Sequence, residues 1–457
     1  MSRLEGLRAA HPRAGLSVPV LGADSQVEWE HRSPPIALLS RRGQLKRAWK
    51  YLFAAAAGAL SGCSQLLIEA VPDIAWRQAS VGHDASCAAT ADGEAYCWSN
   101  LAFTHLPYDS LAPPHVAVPV PGLATVSELV AARESFCAIL PDGSARCWGY
   151  SAYGRLGTGL ADTLEAEPLP MGGGLRFAAV ALAEYRGCGL ELAGRAHCWG
   201  LSQEGWLGVS PAALVPCGIN RESQCAPEPS QLVDAPTFAA ITVADHHACG
   251  LTPEGRAYCW GNNGAGMLGN GTSGASSSPV PAGGDLRFRS VEAGGHFTCG
   301  LALDGRAFCW GNHNDGQLGT PWRPAHDDPR CNQYGPCSVE PVRVAGELRF
   351  TALAAGDEHA CAITADGRLY CWGSNFSGEL GIAGRAPDRC GYYAHVPCSQ
   401  RPIPVLPHLR FETVAAGGRG TCATTRAGSL LCWGNAVGTG AGHADGSPRQ
   451  ITRARQN

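Results

Sequence analysis

One short motif recurs seven times along this 457-residue chain and constrains its fold more than any other feature of the sequence. Each copy has two Cys ten residues apart, a Gly six residues after the first Cys, and a Trp directly after the second, as in CGLALDGRAFCWGN at 299–312. A fixed internal repeat indicates one supersecondary unit copied along the chain. The pairs are Cys87 with Cys97, Cys137 with Cys147, Cys188 with Cys198, Cys249 with Cys259, Cys299 with Cys309, Cys361 with Cys371, and Cys422 with Cys432.

The spacing of the motif predicts an antiparallel hairpin closed by a disulfide. Pairing Cys299 with Cys309 places Gly300 opposite Phe308 and leaves 303–305 as a three-residue loop that ends in Gly. Loops of this length favour Gly at their last position, which takes a left-handed conformation. Two Cys opposed in a non-hydrogen-bonded pair are close enough to bridge. Seven isolated pairs suit a metal site poorly, so we predict seven hairpin disulfides.

Six of the remaining seven Cys form three further close pairs, which fall in the longer copies. Successive first Cys are 50 or 51 residues apart in three intervals and 61 or 62 apart in the other three. The long intervals predict a bridged insertion of roughly eleven residues on one face of the repeat. Twenty paired Cys also predict an oxidising compartment. The additional pairs are Cys217 with Cys225, Cys331 with Cys337, and Cys390 with Cys398.

Each copy has the pattern of four short strands. In the fifth copy a proline-bearing strand begins at 279–280, an apolar strand follows at 286–293, and the hairpin strands are 299–303 and 306–311. Seven such units predict an all-β fold, a seven-bladed β-propeller of four-stranded antiparallel blades with one hairpin disulfide per blade. We expect 447–451 to complete blade 1 and close the ring.

The N-terminal stretch predicts export. Positive residues at 41–50 precede a ten-residue apolar run at 51–60, which is organised as a secretory signal and is too short to span a bilayer. The run ends in Leu60-Ser61-Gly62-Cys63, which resembles a bacterial lipobox and implies cleavage before Cys63 with lipidation of its thiol. A weaker alternative is a twin-arginine export motif at 40–46.

These observations predict five regions. Residues 1–40 are a disordered or wrongly assigned N-terminal extension, 41–62 a lipoprotein signal peptide and 63–73 a tether. Residues 74–451 form the propeller and 452–457 a C-terminal tail. A segment at 66–71 competes with 447–451 as the strand that closes blade 1.

Charge and composition limit the possible partners. The formal net charge is −4, only two Lys occur, and no basic run lies beyond residue 50. From Cys63 onward 26 basic and 35 acidic residues remain, a net charge of −9. We therefore predict a monomer that binds no nucleic acid. We also predict no cofactor and no metal, and a membrane association only through the lipid.

Residues 355–381 best carry a longer pattern, A-G-x-x-H-x-C, then D-G, then C-W-G-x-N-x-x-G-x-L-G. This pattern resembles the regulator-of-chromosome-condensation repeat family over about 74–451. The resemblance implies a seven-bladed propeller without fixing a function. Known members include exchange factors for small GTPases, chromatin binders and secreted bacterial propellers, one type of which inhibits β-lactamases. The paired Cys look like the exported bacterial branch.

Strand parity places the turn before each first Cys and the loop after each Trp-Gly at one end of the propeller. The glycine-rich loops lack the context of a nucleotide-binding turn, so we interpret them as structural. The turns vary in composition, and a rigid scaffold that displays varied loop tips suits recognition. The candidate binding residues are His83, Asp84, Arg133, Glu134, Tyr185, Arg186, Asp245, His246, His247, His296, Phe297, Asp357, Glu358, His359 and Arg419.

Three functions compete at this point. The first is a non-catalytic binding propeller, lipid-anchored at the bacterial cell envelope or outer membrane, that recognises an unknown protein or glycan. The second, by family analogy, is a guanine-nucleotide exchange factor for a small GTPase, which fits an exported chain badly. The third is an envelope hydrolase that uses carboxylates in the propeller channel. No catalytic constellation stands out, so we predict that the chain is not an enzyme.

Overall fold

The computed structural model describes residues 74–453 except 84, 100–115, 219, 322–328, 332–334, 383–385, 392–394 and 435–445. Within these residues the chain forms seven antiparallel sheets whose innermost strands line a common channel, which confirms the predicted all-β seven-bladed propeller. The predicted signal, tether and lipidation site Cys63 lie outside the described residues. In the described part no helix is long and apolar enough to cross a membrane.

Each blade has an innermost, a second, a third and an outer strand. The innermost strands are Trp76–Val81, Glu128–Ala131, Phe177–Leu182, Ala240–Val243, Phe288–Ala293, Phe350–Ala355 and Phe411–Gly417. The second strands are Ala85–Thr90, Ser135–Ile139, Arg186–Glu191, His247–Leu251, Phe297–Ala302, His359–Thr364 and Gly420–Thr425. The third strands are Ala95–Ser99, Ala145–Tyr150, Ala196–Leu201, Ala257–Gly261, Ala307–Asn312, Leu369–Ser374 and Leu430–Gly434.

The outer strands are Val116–Pro119, Leu164–Pro170, Ser223–Gln231, Ser276–Ala282, Cys337–Arg343, Val396–Val405 and Arg449–Gln450. The bridged insertions add Val215–Cys217 to the third blade and Asp388–Cys390 to the sixth. Single 3-10 turns occur at Ala152–Gly154, Gly172–Gly174, Gln203–Gly205, Pro211–Ala213 and Pro329–Cys331.

All seven hairpins have the predicted register. In the fifth blade Cys299 pairs with Cys309 and Gly300 with Phe308, and Gly305 closes the loop with a φ of +82°. The Cα atoms of the seven hairpin Cys pairs lie 4.0–4.1 Å apart.

The ten predicted disulfides are present, which confirms both the hairpin pairs and the pairs of the insertions. The hairpin bridges join Cys87 to Cys97, Cys137 to Cys147, Cys188 to Cys198, Cys249 to Cys259, Cys299 to Cys309, Cys361 to Cys371, and Cys422 to Cys432. The bridges of the insertions join Cys217 to Cys225, Cys331 to Cys337, and Cys390 to Cys398. Every hairpin bridge stays within its own blade, so the disulfides stiffen single blades and leave the attachment between blades to other contacts.

The proline-bearing strand belongs to the blade before it, which corrects the predicted unit. Ser276–Ala282 pairs with Ala257–Gly261, the third strand of the fourth blade, and Val280 lies opposite Cys259. The chain reverses in the glycine-rich loop and returns along the same hairpin. This arrangement places the prolines on the sheet edge, where the missing N–H breaks no ladder hydrogen bond.

Ring closure also differs from the prediction, because the last outer strand belongs to the blade before it. Within 447–451, Arg449–Gln450 pairs with the third strand of the seventh blade and completes that blade. The outer strand of the first blade is Val116–Pro119. Thr452–Arg453 then pairs in parallel with this strand and joins the last blade to the first. The competing segment at 66–71 lies outside the described residues.

The hydrophobic core lies between neighbouring blades. One buried cluster joins Phe297 and Leu301 of the fifth blade to Phe350 and Trp372 of the sixth. Each third-strand Trp sits at such an interface, and all seven are at most 1% exposed. The core is therefore formed only when blades stack, which ties the stability of each blade to that of its neighbours.

A hydrogen bond that recurs in four blades fixes each of them to the blade before it. The indole Nε1 donates to the carbonyl of the second residue in the Gly-x-Leu-Gly loop of the preceding blade. The last Gly of that loop packs on the same ring, because a Cβ at Gly269 would lie 2.5 Å from Trp310. These loops are thus structural turns, as predicted. The bonds run from Trp199 to Arg155 (2.9 Å), Trp310 to Met267 (2.8 Å), Trp372 to Gln317 (3.1 Å) and Trp433 to Glu379 (2.8 Å).

We predict that Trp372→Phe lowers the free energy of unfolding by about 1–2 kcal/mol more than Trp148→Phe does. Both changes remove the same buried atoms, but Trp372 also donates to the Gln317 carbonyl. Within the described residues, Trp148 is equally buried and its Nε1 has no hydrogen-bond partner. Chemical denaturation of the two oxidised variants measures the difference. Equal losses would contradict a stabilising role for the bond.

Candidate functional site

The turn before each hairpin has one geometry around the ring. In the first six blades the amide five residues before the first Cys donates to the carbonyl two residues before it, as from Ala244 to His247 (2.9 Å). We name three positions in this turn. The mouth position lies four residues before the first Cys, the face position three before, and the buried position two before.

The fifteen predicted binding residues divide among these three positions. At the mouth position are His83, Arg133, Asp245 and Asp357. At the face position are Asp84, Glu134, Tyr185, His246, His296, Glu358 and Arg419. At the buried position are Arg186, His247, Phe297 and His359. Asp84 lies outside the described residues.

The expected display at the loop tips is wrong for the four residues at the buried position. Their side chains are at most 3% exposed, because the second strand begins here and directs them into the blade interface. His359 Nε2 donates to Thr421 Oγ1 of the next blade (2.8 Å), and Thr421 donates to the Glu379 carbonyl. His247 makes the same contact with Thr298 (2.7 Å). Both histidines therefore help to join blades.

Burial keeps these two histidines neutral. It lowers the pKa of His247 to about 3 and the pKa of His359 to about 4. Burial also lowers the pKa of Arg186 to about 10, although the charge of Asp245 opposes the shift.

The mouth position forms part of a charged ring around one end of the channel. On one arc Arg133 pairs with Glu184. The Glu184 amide donates to Asp245 (2.7 Å). Burial raises the pKa of Asp245, and the Glu184 amide opposes that rise. These contacts link the turns of the second, third and fourth blades.

The opposite arc is held by a contact between His83 and Asp357, which lie on blades that are not neighbours. His83 Nε2 lies 2.9 Å from Asp357, and the Asp357 amide donates to the Gly418 carbonyl of the intervening blade (2.9 Å). Gly418 leaves room for the pair, because a Cβ there would lie 2.8 Å from the His83 backbone. Burial alone would raise the pKa of Asp357, but the His83 hydrogen bond and charge lower it below its usual value.

The innermost strands enclose a channel of about 360 Å³. Two carboxyl groups that sequence reasoning missed line it, Glu128 and Glu292. Burial raises the pKa of Glu292 to about 8, and that of Glu128 to about 7 against an opposing hydrogen bond from Val180. Aligning the seven copies gives the signal for Glu292, which lies opposite the first Cys of its hairpin, Cys299. The innermost-strand residues opposite the other six first Cys lack a carboxyl group. They are Ser80, Val130, Ala181, Thr242, Ala354 and Ala415.

The described residues at the face position point to solvent to different degrees. Arg419 is exposed, and Glu134, Tyr185, His246, His296 and Glu358 are partly exposed. The rings of His246 and His296, on adjacent blades, have centroids 4.5 Å apart. Burial and then the charge of Asp315 raise the pKa of Glu358 to about 7.

Aromatic side chains in the loops after Trp-Gly extend this face. Phe376 is 65% exposed and lies under the Arg419 guanidinium, 5.7 Å from the ring centroid. Tyr153 meets Tyr185 edge to face with ring centroids 5.5 Å apart. Strand parity had placed these loops at this end, so Tyr153 and Phe376 could have been named from the sequence. Among the described residues, no three potential metal-ligating side chains converge.

Models of the regulator of chromosome condensation (RCC1) repeat match residues 239–266, 288–317 and 350–379. A second model of this repeat matches 254–301, 304–363 and 366–424. The chain carries RCC1 repeats over residues 239–424.

Similar curated proteins include two from Arabidopsis thaliana. The ultraviolet-B receptor UVR8 is 25% identical over 297 residues, which cover 63% of this chain and 59% of the receptor. The mitochondrial RCC1 domain-containing protein RUG3 is 28% identical over 287 residues, which cover 62% of this chain and 59% of that protein. The matched region of this RCC1-repeat chain thus spans about three fifths of the length of either relative.

Solved structures share the fold. Prp20p from Saccharomyces cerevisiae superposes with a TM-score of 0.61 at 17% identity, covering 75% of this chain and 80% of Prp20p. Human WBSCR16 superposes with a TM-score of 0.60 at 18% identity, covering 76% of this chain and 86% of that protein.

We predict that His359 contributes stability to the RCC1-repeat propeller that is lost as pH falls below about 6.5, and that His359→Phe removes this loss. His359 has a lower pKa folded than unfolded, so protonation favours the unfolded chain between pH 6.5 and about 4, by up to about 1.4 kcal/mol per pH unit. Phe297 fills the equivalent position in the fifth blade, so Phe fits this type of site. Denaturation midpoints at pH 7.5 and 4.5 measure the effect. An unchanged pH dependence in H359F would contradict it.

Proposed function

We propose that this RCC1-repeat propeller is a non-catalytic binding protein, lipid-anchored at a bacterial cell envelope, that recognises a protein or glycan through its loop face. The loop face is the end of the propeller formed by the seven turns and the loops after Trp-Gly. The observation that carries the proposal is the contrast within each turn. The buried position joins blades, while the face position one residue earlier presents carboxylate, phenol, imidazole or guanidinium groups on the same backbone.

A rigid support favours recognition on such a face. Seven hairpin disulfides and the indole-to-carbonyl bonds hold the turns in place before any partner arrives. A preorganised surface loses less conformational entropy on binding. Tyr185 and Phe376 supply aromatic side chains of the kind that dominate binding energy at interfaces, and charged neighbours surround them.

The ten disulfides support an exported location. A cytosolic GTPase partner, which the family's exchange factors would suggest, fits that location badly. Prp20p is described as binding Gsp1p and histones. This fold relative supports a binding role for the propeller without identifying the partner of this chain.

We predict that the mature protein begins at a lipidated Cys63. Mass spectrometry of protein purified from membranes should find an acylated N-terminal peptide that starts at this residue. Cys63→Ser should release the protein from the membrane fraction or block its processing. An N-terminus that extends to residue 1 in the mature protein would contradict the anchor.

We predict that a partner contacts the loop face. Photo-reactive benzoylphenylalanine in place of His246 or Phe376 should form a discrete crosslink in cells of the producing organism. The same substitution at Asp285, at the opposite end of the propeller, is the matched control and should form no discrete crosslink to a protein or glycan. Tyr185→Ala should weaken the crosslink from position 376. Crosslinks of equal yield from position 285 would contradict recognition by the loop face.

A further inference from the structure

The hairpin-tip face, opposite the loop face, is formed by the seven hairpin loops and the connections from outer to innermost strands. On blades 5 to 7 it carries eight Arg and five acidic residues, a surplus of three positive charges in a chain whose net charge is negative. The basic residues are Arg287, Arg289, Arg306, Arg343, Arg349, Arg368, Arg410 and Arg426. The acidic residues are Asp285, Asp304, Glu347, Asp366 and Glu412.

Five of the eight guanidinium groups on this face lie outside its ion pairs. Three of the acids are each paired with an Arg of their own. Those pairs are Arg306–Asp304 (2.6 Å), Arg343–Glu347 (2.7 Å) and Arg368–Asp366 (2.9 Å). The other five Arg donate hydrogen bonds only to backbone carbonyls within the described residues. They are Arg287, Arg289, Arg349, Arg410 and Arg426.

Apolar side chains protrude from the same end. Leu303, at the hairpin tip of the fifth blade, is 58% exposed, and Leu192, at the tip of the third blade, is 71% exposed. The Arg289 guanidinium donates to the Leu303 carbonyl (3.3 Å). An exposed Leu beside a guanidinium suits the boundary between lipid headgroups and acyl chains.

The chain enters the propeller at this face. The Trp76 amide donates to the Gly428 carbonyl at the hairpin tip of the seventh blade (3.2 Å), and Ala91, at the tip of the first blade, donates to the Ala75 carbonyl (2.8 Å). Cys63 is eleven residues before Ile74, so even an extended tether reaches at most about 40 Å. A lipid on Cys63 would therefore hold the hairpin-tip face close to a bilayer.

We propose that the hairpin-tip face of blades 5 to 7 binds the anionic phospholipid headgroups of the membrane that carries the tether. The orientation rests on the proposed lipid anchor, whereas the affinity of the face for lipid does not. The five Arg outside the ion pairs neutralise phosphates, and Leu303 enters the interface. An acyl anchor and a basic surface together bind a membrane more firmly than either does alone. The loop face then points away from the bilayer, toward partners.

Binding of the full-length Cys63→Ser chain to vesicles tests the face without the lipid. We expect it to sediment with vesicles of phosphatidylcholine and phosphatidylglycerol, more weakly with phosphatidylcholine alone, and less at high salt. The triple variant R289E/R349E/R426E should bind the anionic vesicles roughly a hundredfold more weakly. Leu303→Ser should weaken binding without changing its salt dependence.

The matched control is R221E/R389E/R401E, which changes the net charge equally at exposed Arg away from the hairpin-tip face. It should bind like the Cys63→Ser parent. Equal losses in the two triple variants, or no preference of the parent for anionic vesicles, would overturn the proposal. Binding to soluble heparin without vesicle binding would assign the face to a polyanion and also overturn it. None of these outcomes depends on the Cys63 lipid or on loop-face crosslinks.

Discussion

The indole that each third strand inserts against the preceding blade is the contact on which this propeller depends. In four blades its Nε1 donates to a loop carbonyl of the preceding blade, and its ring packs on the last Gly of that loop. A disulfide joins its strand to the second strand of the same hairpin. For Trp310 these partners are the Met267 carbonyl, Gly269 and the Cys299–Cys309 bridge. One repeated motif thus supplies both the rigidity of a blade and its attachment to its neighbour.

Turns with the same backbone geometry direct consecutive side chains into three different environments. At His359 the side chain enters the blade interface, where burial keeps it neutral and hydrogen-bonded to Thr421. At Glu358, one residue earlier, the side chain meets solvent among other carboxylates. Asp357, one residue earlier still, contacts His83 at the channel mouth. Three consecutive residues therefore lie in the blade interface, at the solvent-facing surface and at the rim of the channel respectively.

The sequence was enough to predict whatever depends on local spacing. Register, hairpin disulfides and the end of each blade that a loop occupies follow from counting residues around Cys299 and Cys309. The blade to which each outer strand belongs could not be predicted, because alternation identifies an edge strand without saying which sheet it joins. The burial of His247 and the channel position of Glu292 were also missed. Both depend on the neighbouring blade, which the ring brings close only after folding.

The entry of the chain into the ring determines how the fold responds to mechanical force. Residues 75 and 76 hydrogen-bond to the hairpin tips of the first and the seventh blade. Tension applied through the preceding segment is consequently shared by both ends of the ring. A pull on this segment is therefore resisted by hydrogen bonds to both blades and not by the first strand alone.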